Sequence, residues 1–336
     1  MISKNMNWNI NTINTPFLLK PAGQDYLWGG NKLNEDFSKN IDMTPLAETW
    51  ECSVHPDGES VVSGGIYDGQ KLSSVLEKHP EYMGTHPGST LPILIKLIDA
   101  KKDLSVQVHP DDDYALKNEG QLGKTEMWYV MEATKDAKLV YGFSRNVSKE
   151  EIERAVVEDR IEKYLQFVPI KKDDVFYIPS GTVHAICEGA LIAEVQQNSN
   201  VTYRLYDYNR VDKTGKKREL HVSKALDVAN FTASPEPRQP LRVKKFRRGY
   251  ATELLCRCKY FQVERMLLNT ERVRTMAELQ TGSNSFEVLL CTDGCGTIYW
   301  ENGGMLNFYR GDCIFIPANS VELKLHGQAQ ILRIGC

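Results

Sequence analysis

The sequence lacks several features that would assign it to a common class of protein. No apolar run reaches the roughly 18 residues of a membrane-spanning helix, and the Asn-rich start, residues 1–19, has no apolar stretch typical of a secretory signal. Basic residues are not in excess, because 41 lysines and arginines face 44 aspartates and glutamates, with a pI near 6.2. A weakly acidic chain is a poor ligand for a polyanion. We therefore expect a soluble, cytoplasmic protein that binds neither nucleic acid nor membranes.

Paired cysteine motifs and glycine-rich phosphate loops are also missing. The eight cysteines are scattered, and a zinc ribbon built from Cys256, Cys258, Cys291 and Cys295 would have the wrong spacings. Reduced and mostly buried thiols are the better interpretation. No P-loop or GxGxxG pattern follows any predicted strand. A bound phosphate would therefore have to be held by basic side chains.

What the sequence does contain is a series of short strand-like segments separated by Gly and Pro turns, with few helices. This pattern is typical of small β-barrels and jelly rolls. The segment 173–179 (DDVFYIP) is echoed by 311–317 (GDCIFIP), which indicates a duplicated unit. A Pro-rich and then basic segment at 233–249 has the composition of a boundary. We predict a mainly β fold of two jelly-roll barrels, with domains at 1–235 and 236–336.

Two helical insertions are predicted in the first domain, around 71–87 and 148–168. Pro80 should stop the first of them, and residues 86–88 (HPG) predict a loop. Ser148 is the predicted N-cap of the second. The acidic run at 111–113 resembles a cation site, but consecutive residues cannot all face one ion, so N-capping of a short helix is favoured.

Strand parity selects four candidate site residues in the first half. Gln107 and His109 stand two residues apart, so in a strand they project from the same face. Glu126 shares a face with large apolar residues and therefore points inward, where a carboxylate needs a cationic partner. His184 begins the strand after a Pro-Ser-Gly turn and points back inward. Together these residues could form a metal site.

Other polar residues in strand-like segments leave alternatives open. Glu48, Glu51 and His55 could line a pocket or could belong to a surface strand that ends in a solvated turn. In the second half, Glu322 stands where the first half has His184, and no Gln-x-His pair is found. The second barrel is therefore predicted to be a structural copy without a metal.

Four motifs in this order resemble the type I mannose-6-phosphate isomerases, in the short form typical of bacteria. They are SVQVHPDDDYA (105–115), KTEMWYV (124–130), IPSGTVHAI (178–186) and QNSNVTYRLYDY (197–208). The resemblance covers essentially the whole chain and implies a cupin-type version of the jelly-roll fold. It also implies one zinc ion per chain, bound by Gln107, His109, Glu126 and His184. Imidazole, carboxylate and amide oxygen donors suit that borderline cation.

The resemblance further implies an aldose–ketose isomerase that interconverts mannose 6-phosphate and fructose 6-phosphate through an enediol. Arg204 matches an active-site arginine of the family, where it could steady the enediolate; an ion pair with Asp207 is the alternative. Lys96 and Lys124 match two lysines of the cleft, with substrate contact or proton relay implied. Glu194 matches an acidic pocket residue and is a candidate base. Asn200, a candidate substrate contact, stands where relatives often carry Asp.

The phosphate could be held by any of four basic side chains, and the sequence does not rank them: Lys96, Lys124, Arg204 and Arg210. The expected partner is thus a small sugar phosphate, and the protein is expected to be a monomer or weak dimer. Two other functions are compatible with the motifs. One is a non-catalytic, metal-containing, sugar-binding cupin. The other is an iron-dependent cupin oxygenase, which uses two histidines and one carboxylate.

Overall fold

The computed structural model describes residues 14–85, 90–211, 215–240 and 242–336. The first 13 residues of the Asn-rich start and the predicted loop at 86–88 therefore lie outside the described residues. The helices are α1 (Lys32–Glu35), α2 (Leu72–Lys78), α3 (Asp112–Glu119), α4 (Lys149–Val157) and α5 (Val222–Val228). The strands are β1 (Phe17–Lys20), β2 (Ala22–Gln24), β3 (Glu48–Cys52), β4 (Val61–Ser63), β5 (Ile93–Ala100), β6 (Val106–Val108), β7 (Glu126–Ala133), β8 (Lys138–Phe143), β9 (Leu165–Pro169), β10 (Val175–Ile178), β11 (His184–Ile186), β12 (Ala190–Gln197), β13 (Tyr203–Tyr206), β14 (Lys245–Arg247), β15 (Tyr250–Arg257), β16 (Gln262–Asn269), β17 (Ala277–Leu279), β18 (Glu287–Trp300), β19 (Gly304–Tyr309), β20 (Cys313–Ile316) and β21 (Leu323–Gly335).

These strands form three antiparallel sheets, which confirms the predicted mainly β fold. A six-stranded sheet has the order β10-β7-β12-β5-β3-β2, and a five-stranded sheet has the order β13-β6-β11-β8-β9. The third sheet has ten strands along the path β14-β15-β16-β21-β18-β20-β1-β4, with β17 on β21 and β19 on β18. In the described part of the chain none of the three sheets closes on itself. The two complete jelly-roll barrels therefore stay a prediction.

The sheets are stacked in layers with the six-stranded sheet in the middle. One of its faces packs on the five-stranded sheet around a core that includes Ile98 and Ile186. Its other face packs on the ten-stranded sheet around a core that includes Leu97 and Phe315. Helices α4 and α5 cover the outer side of the five-stranded sheet. Strands β5 and β12 are consequently buried along their whole length, as their nearly continuous apolar sequences require.

The ten-stranded sheet joins the two ends of the chain. Strand β1 pairs with β20, so that Phe17 lies opposite Phe315, and β4 pairs with β1. Strands from both sides of the predicted boundary at 235 and 236 thus share one sheet. The echoed segments 173–179 and 311–317 contain β10 and β20, which are both short strands ending before a proline.

The predicted starts of α3 and α4 are confirmed, and the predicted end of α4 is wrong. Asp111 caps α3 by accepting a hydrogen bond from the Tyr114 amide, and Ser148 caps α4 in a capping box with Glu151. The predicted helix over 148–168, however, ends at Val157, and residues 165–169 form β9. Asp159 takes a left-handed conformation with φ of 54°, which ends the helix. The following residues then pair with β8, so tertiary pairing decides their structure.

The cysteines agree with the expectation of reduced, mostly buried thiols. Five cysteines are buried, Cys258 is half-buried, Cys295 and Cys336 are exposed, and all eight are free thiols. Among the described residues, no helix is both long and apolar enough to cross a membrane.

Candidate metal centre and adjoining cleft

Three buried side chains meet where the six-stranded and five-stranded sheets face each other. The ligand atoms of His109, Glu126 and His184 lie within 4.8 Å of one another. Nε2 of His109 is 3.5 Å from one Glu126 carboxylate oxygen, and Nε2 of His184 is 3.4 Å from the other. Glu126 begins β7, His184 begins β11, and His109 directly follows β6. The cluster therefore forms because strand ends from two sheets converge.

Backbone carbonyls fix the orientation of both imidazoles. Nδ1 of His109 donates to the Val201 carbonyl at 2.9 Å, and Nδ1 of His184 donates to the Thr182 carbonyl at 2.8 Å. Each Nε2 lone pair is thereby directed at Glu126. Burial and the charge of Lys124 lower the pKa of His109 to about 3, and burial lowers the pKa of His184. Both rings are neutral at pH 7, which is the form that binds a metal.

Several polar atoms of the cluster have no hydrogen-bond partner. They are Nε2 of His109 and both carboxylate oxygens of Glu126, all of them buried. Burial alone would raise the pKa of Glu126, but Lys124, 3.2 Å away, and the two histidines lower it well below its usual range. A buried carboxylate and a buried lone pair without hydrogen bonds are costly. A divalent cation would satisfy all of these atoms, so the residues fit a metal such as zinc.

Gln107 adjoins this cluster through the strand register. It lies opposite His184 between β6 and β11, and its amide nitrogen is 3.5 Å from Nε2 of His184. Because amide nitrogen is not a metal ligand, the amide would have to turn over to present its oxygen. The structure thus brings together all four side chains that strand parity selects.

A buried ion-pair network lies beside the cluster on the inner face of the six-stranded sheet. Lys96 Nζ is 3.4 Å from a carboxylate oxygen of Glu48 and 3.4 Å from one of Glu194. Lys124 Nζ, which pairs with Glu126, is 4.0 Å from Glu194. Lysines that are inserted between carboxylates in a dry interior hold the charged groups in fixed positions. The network connects Glu194 to the metal cluster through Lys124.

Two tryptophans complete the hydrogen bonding of this network. The indole nitrogens of Trp50 and Trp128 donate at 2.9 Å to Glu48 and Glu194. The second oxygen of Glu194 is buried and has no hydrogen-bond partner. Burial and the nearby Glu126 raise the pKa of Glu194. Glu194 therefore holds a proton more readily than a surface glutamate, and the oxygen that Trp128 does not fix lies 3.4 Å from Lys96 Nζ and 4.0 Å from Lys124 Nζ.

We expect Lys96→Ala to lower the free energy of unfolding by about 3 kcal/mol, since it leaves two buried carboxylates without their shared cation. Burial lowers the pKa of Lys96, but Glu48 and Glu194 raise it above its ordinary value, so the lysine is charged. Urea unfolding of the metal-loaded proteins measures the effect. The control is Lys32→Ala, which removes a half-exposed ion pair with Glu132 and should cost less than about 1 kcal/mol. An equally small loss in Lys96→Ala would contradict the network.

Arg204 lies on the strand next to the one that carries Gln107. It lies opposite Gln107 between β13 and β6, and directly opposed residues project from the same face. Its guanidinium donates to the Ser105 hydroxyl at 3.3 Å and to the Glu219 carbonyl at 2.8 Å.

The alternative role for Arg204, an ion pair with Asp207, is wrong. Asp207 pairs with Arg210 and Arg218 instead, and no described carboxylate lies within ion-pair distance of Arg204. Its charge is therefore available to an anion.

The remaining candidates lie away from the cluster. The amide of Asn200 donates at 2.8 Å to Asp57, in the turn that follows β3. Glu51 projects from the opposite face of β3 to Glu48 and pairs with Lys39. His55 stacks edge-on against Trp50. Of the three residues that could line a pocket, only Glu48 joins the network.

Sequence reasoning missed the two tryptophan donors and the basic residues beyond β13. A signal for the tryptophans existed, because each stands two residues after a glutamate, in Glu48-x-Trp50 and Glu126-x-Trp128, and so shares its face. The basic run at 216–218 (KKR) follows residues outside the described part and carries no strand pattern. Its position near Arg204 is a tertiary feature.

Comparison with known proteins agrees with this arrangement. The profile of phosphomannose isomerase type I, catalytic domain, matches residues 17–159. The chain is 38% identical over 318 residues to the mannose-6-phosphate isomerase ManA of Bacillus subtilis, and the match covers 94% of this chain and 98% of that protein.

Solved structures give the same result at the level of the fold. The crystal structure of the mannose 6-phosphate isomerase from Bacillus subtilis is similar with a TM-score of 0.87 and 35% identity, over 95% of this chain and 99% of that one. A zinc-bound mannose 6-phosphate isomerase is similar with a TM-score of 0.72 and 16% identity, over 95% of this chain and 99% of that one. At 16% identity this similarity shows that the two chains share a fold.

Proposed function

Because this chain belongs to the type I phosphomannose isomerases, we propose that it interconverts mannose 6-phosphate and fructose 6-phosphate through an enediol intermediate. The observation that carries the proposal is the buried cluster of His109, Glu126 and His184, in which Nε2 of His109 and both oxygens of Glu126 have no hydrogen-bond partner. It lies between a buried ion-pair network and Arg204, which has no carboxylate partner among the residues that the structure describes. Charge stabilisation and proton transfer, the two requirements of aldose–ketose isomerisation, have candidate groups in Arg204 on the five-stranded sheet and Glu194 on the six-stranded sheet.

One zinc ion per chain would be held by His109, Glu126 and His184, with Gln107 as a fourth ligand once its amide turns over. Neutral imidazoles and an ionised carboxylate are suitable donors, and a zinc-bound relative with the same fold supports this choice of metal. When bound, the ion supplies positive charge near a developing oxyanion and orders the sugar hydroxyls.

The proton moved between C1 and C2 needs a group that can accept and return it. Glu194 is the proposed base, because one oxygen is fixed by Trp128 while the other faces Lys96 and Lys124 without a hydrogen bond, and its raised pKa favours proton uptake. Lys124, between Glu194 and Glu126, is proposed to relay a proton or to contact the substrate. Lys96 would hold Glu194 in place, and Asn200, in the loop between β12 and β13, would contact the sugar.

Arg204 is proposed to stabilise the enediolate. Its planar, permanently charged guanidinium projects from the same face as Gln107 and His184. A fixed cation that is already in position when charge develops does not have to reorganise during the reaction.

We also propose that the layered sheets are two cupin-type jelly rolls, with the metal-binding one at 1–235 and a metal-free one at 236–336. Glu322, aligned with His184, is exposed and pairs with Lys324, which supports the asymmetry. A cytoplasmic monomer or weak dimer is the proposed state of the enzyme. The eight free thiols support a reducing compartment, and size-exclusion chromatography with light scattering tests the oligomeric state.

A coupled assay tests the reaction. Purified, zinc-loaded protein should convert mannose 6-phosphate to fructose 6-phosphate, detected through a glucose-6-phosphate isomerase and dehydrogenase. Absence of turnover with retained sugar-phosphate binding would favour the non-catalytic sugar-binding cupin, and activity that depends on iron and oxygen would favour the oxygenase.

Removal of the metal should abolish turnover and lower the melting temperature by at least about 5 °C, because the ion binds only the folded chain. Dialysis against a chelator, followed by calorimetry, measures the shift, and added zinc should reverse both effects. The His184→Ala variant provides the control, since its melting temperature should not respond to the chelator. A chelator-resistant enzyme with full activity would contradict a metal-dependent mechanism.

A further inference from the structure

The carboxylate of Asp112, the first residue of α3, accepts hydrogen bonds from three separate parts of the chain. Its Oδ1 accepts from Nε2 of Gln197 at 2.9 Å and from the amide of Gly123 at 3.0 Å. Its Oδ2 accepts from the hydroxyl of Tyr260 at 2.8 Å. Burial raises the pKa of Asp112, but these three donors lower it below its ordinary value. The side chain is therefore ionised at pH 7, and hydrogen bonds to a charged acceptor are the stronger kind.

These hydrogen bonds connect two segments that carry candidate metal ligands. Asp112 stands three residues after His109. Its donor Gln197 is the last residue of β12, and the side-chain oxygen of Gln197 accepts a hydrogen bond from the Thr125 amide at 2.8 Å. The Thr125 carbonyl in turn accepts one from the Gln197 amide at 3.1 Å. Because Thr125 directly precedes Glu126, Asp112 and Gln197 together fix the start of β7 relative to the segment that follows β6.

The same two segments also touch through their backbones. The Lys124 amide donates to the Pro110 carbonyl at 3.0 Å. A Cβ atom at Gly123 would lie only 2.4 Å from the carbonyl carbon of Asp111, so this approach requires glycine. With so little space between them, a displacement of one segment is passed to the other. The separation of the two candidate ligands that these segments carry therefore depends on how firmly α3 is held.

Tyr260 connects this arrangement to the ten-stranded sheet. It lies in the turn between β15 and β16, and its ring packs against the core between the six-stranded and ten-stranded sheets. The adjacent Lys259 is 3.6 Å from the same carboxylate but 77% exposed, so that ion pair contributes little. The three clustered residues that the structure describes all lie outside the ten-stranded sheet. The hydroxyl of Tyr260 is thus a route by which this sheet can act on the metal cluster.

We propose that Asp112 is a positioning residue for the metal cluster and that Tyr260 holds it in place, so that the sheet without clustered ligands keeps the metal-binding segments at their working separation. This inference rests on the proposed metal site and isomerase function, and neither residue is assigned a contact with substrate. Outer partners of a metal site typically change metal affinity or activity about 10- to 100-fold when they are removed, because the ligands lose their orientation.

The test compares Asp112→Ala and Tyr260→Phe with a matched control, Tyr309→Phe, which removes a hydroxyl from an exposed tyrosine on β19 of the same sheet. We expect Asp112→Ala to raise the Kd for zinc about tenfold and to lower kcat/KM about tenfold, mainly through kcat. Tyr260→Phe should change both about threefold, since it removes one of three donors. Competition with a chelating indicator measures the Kd, and the control should match the parent.

Two further measurements separate positioning from general stability. The visible absorption of the cobalt-substituted protein depends on ligand geometry, and it should shift in Asp112→Ala but not in the control. In the Asp112→Ala background, Tyr260→Phe should change the Kd for zinc less than about twofold, because Tyr260 acts through the carboxylate.

Parent-like zinc affinity in both variants would overturn the inference, even if their melting temperatures were lower, because the hydrogen bonds would then be structural only. Tyr260→Phe keeps the ring in its packed position, so it decides the question should Asp112→Ala fail to fold. If the parent protein lacks isomerase activity but the two variants bind zinc more weakly than the parent, the positioning role is supported and the proposed reaction alone fails.

Discussion

Replacement of His184 by alanine is expected to reduce bound zinc from one ion per chain to below about one tenth, and kcat/KM at least about 1,000-fold. Nε2 of His184 faces a Glu126 oxygen at 3.4 Å, and without this imidazole only one histidine remains to bind the ion with Glu126. The fold should persist, because the cluster lies at strand ends while the layers are held by separate apolar cores. Elemental analysis after exhaustive dialysis, with near-UV circular dichroism, measures both expectations.

A matched control for this variant is His326→Ala. His326 lies in β21 of the ten-stranded sheet and bonds to the Thr270 hydroxyl at 2.9 Å. Its removal should leave zinc content and turnover unchanged. Full zinc occupancy in His184→Ala would defeat the assignment of the metal site.

Arg204→Ala should lower kcat about 100- to 1,000-fold while zinc remains bound, because a preorganised cation at an oxyanion has an effect of this size. The side chain is not a metal ligand, and its neighbours Ser105 and Glu219 accept its hydrogen bonds through a hydroxyl and a carbonyl. Steady-state kinetics together with metal analysis separates these effects.

The control for Arg204→Ala is Arg257→Ala, which removes the same charge from an exposed position on β15 where the guanidinium bonds to Gln262. That variant should keep parent-like kinetics. Arg204→Lys keeps a cation without the planar fork and should be intermediate. If Arg204→Ala turned over at the parent rate, the arginine would be a structural residue.

The inward orientation of the candidate ligands could be predicted because it depends on local geometry. Alternation in β5 to β7 and in β11 is a property of the strand itself, so spacing alone assigns Gln107, Glu126 and His184 to an inner face. Helix starts were equally local, since Ser148 and Asp111 bond to amides three residues on. The end of α4 could not be predicted from local sequence, because the strand that follows it, β9, depends on pairing with β8.

The ion-pair network could be predicted only in part. Lys96 and Glu194 interrupt the apolar runs of two buried strands, which marks both residues as costly to bury and therefore as candidates. That they share a salt bridge follows from the register of β5 against β12, where they lie opposite each other. Glu48 joins them only because β3 pairs with β5 from the other side.

By itself, the sequence determined the strand-rich class, the faces on which the polar side chains project and the motifs that identify the family. Only the tertiary structure decided that Asp207 pairs with Arg210 and Arg218, leaving Arg204 without a carboxylate partner among the described residues, and that β1 pairs with β20. The physical reason is distance along the chain. Local periodicity fixes directions within a strand, whereas contacts between residues far apart depend on sheet register and layer packing, which no short stretch of sequence encodes.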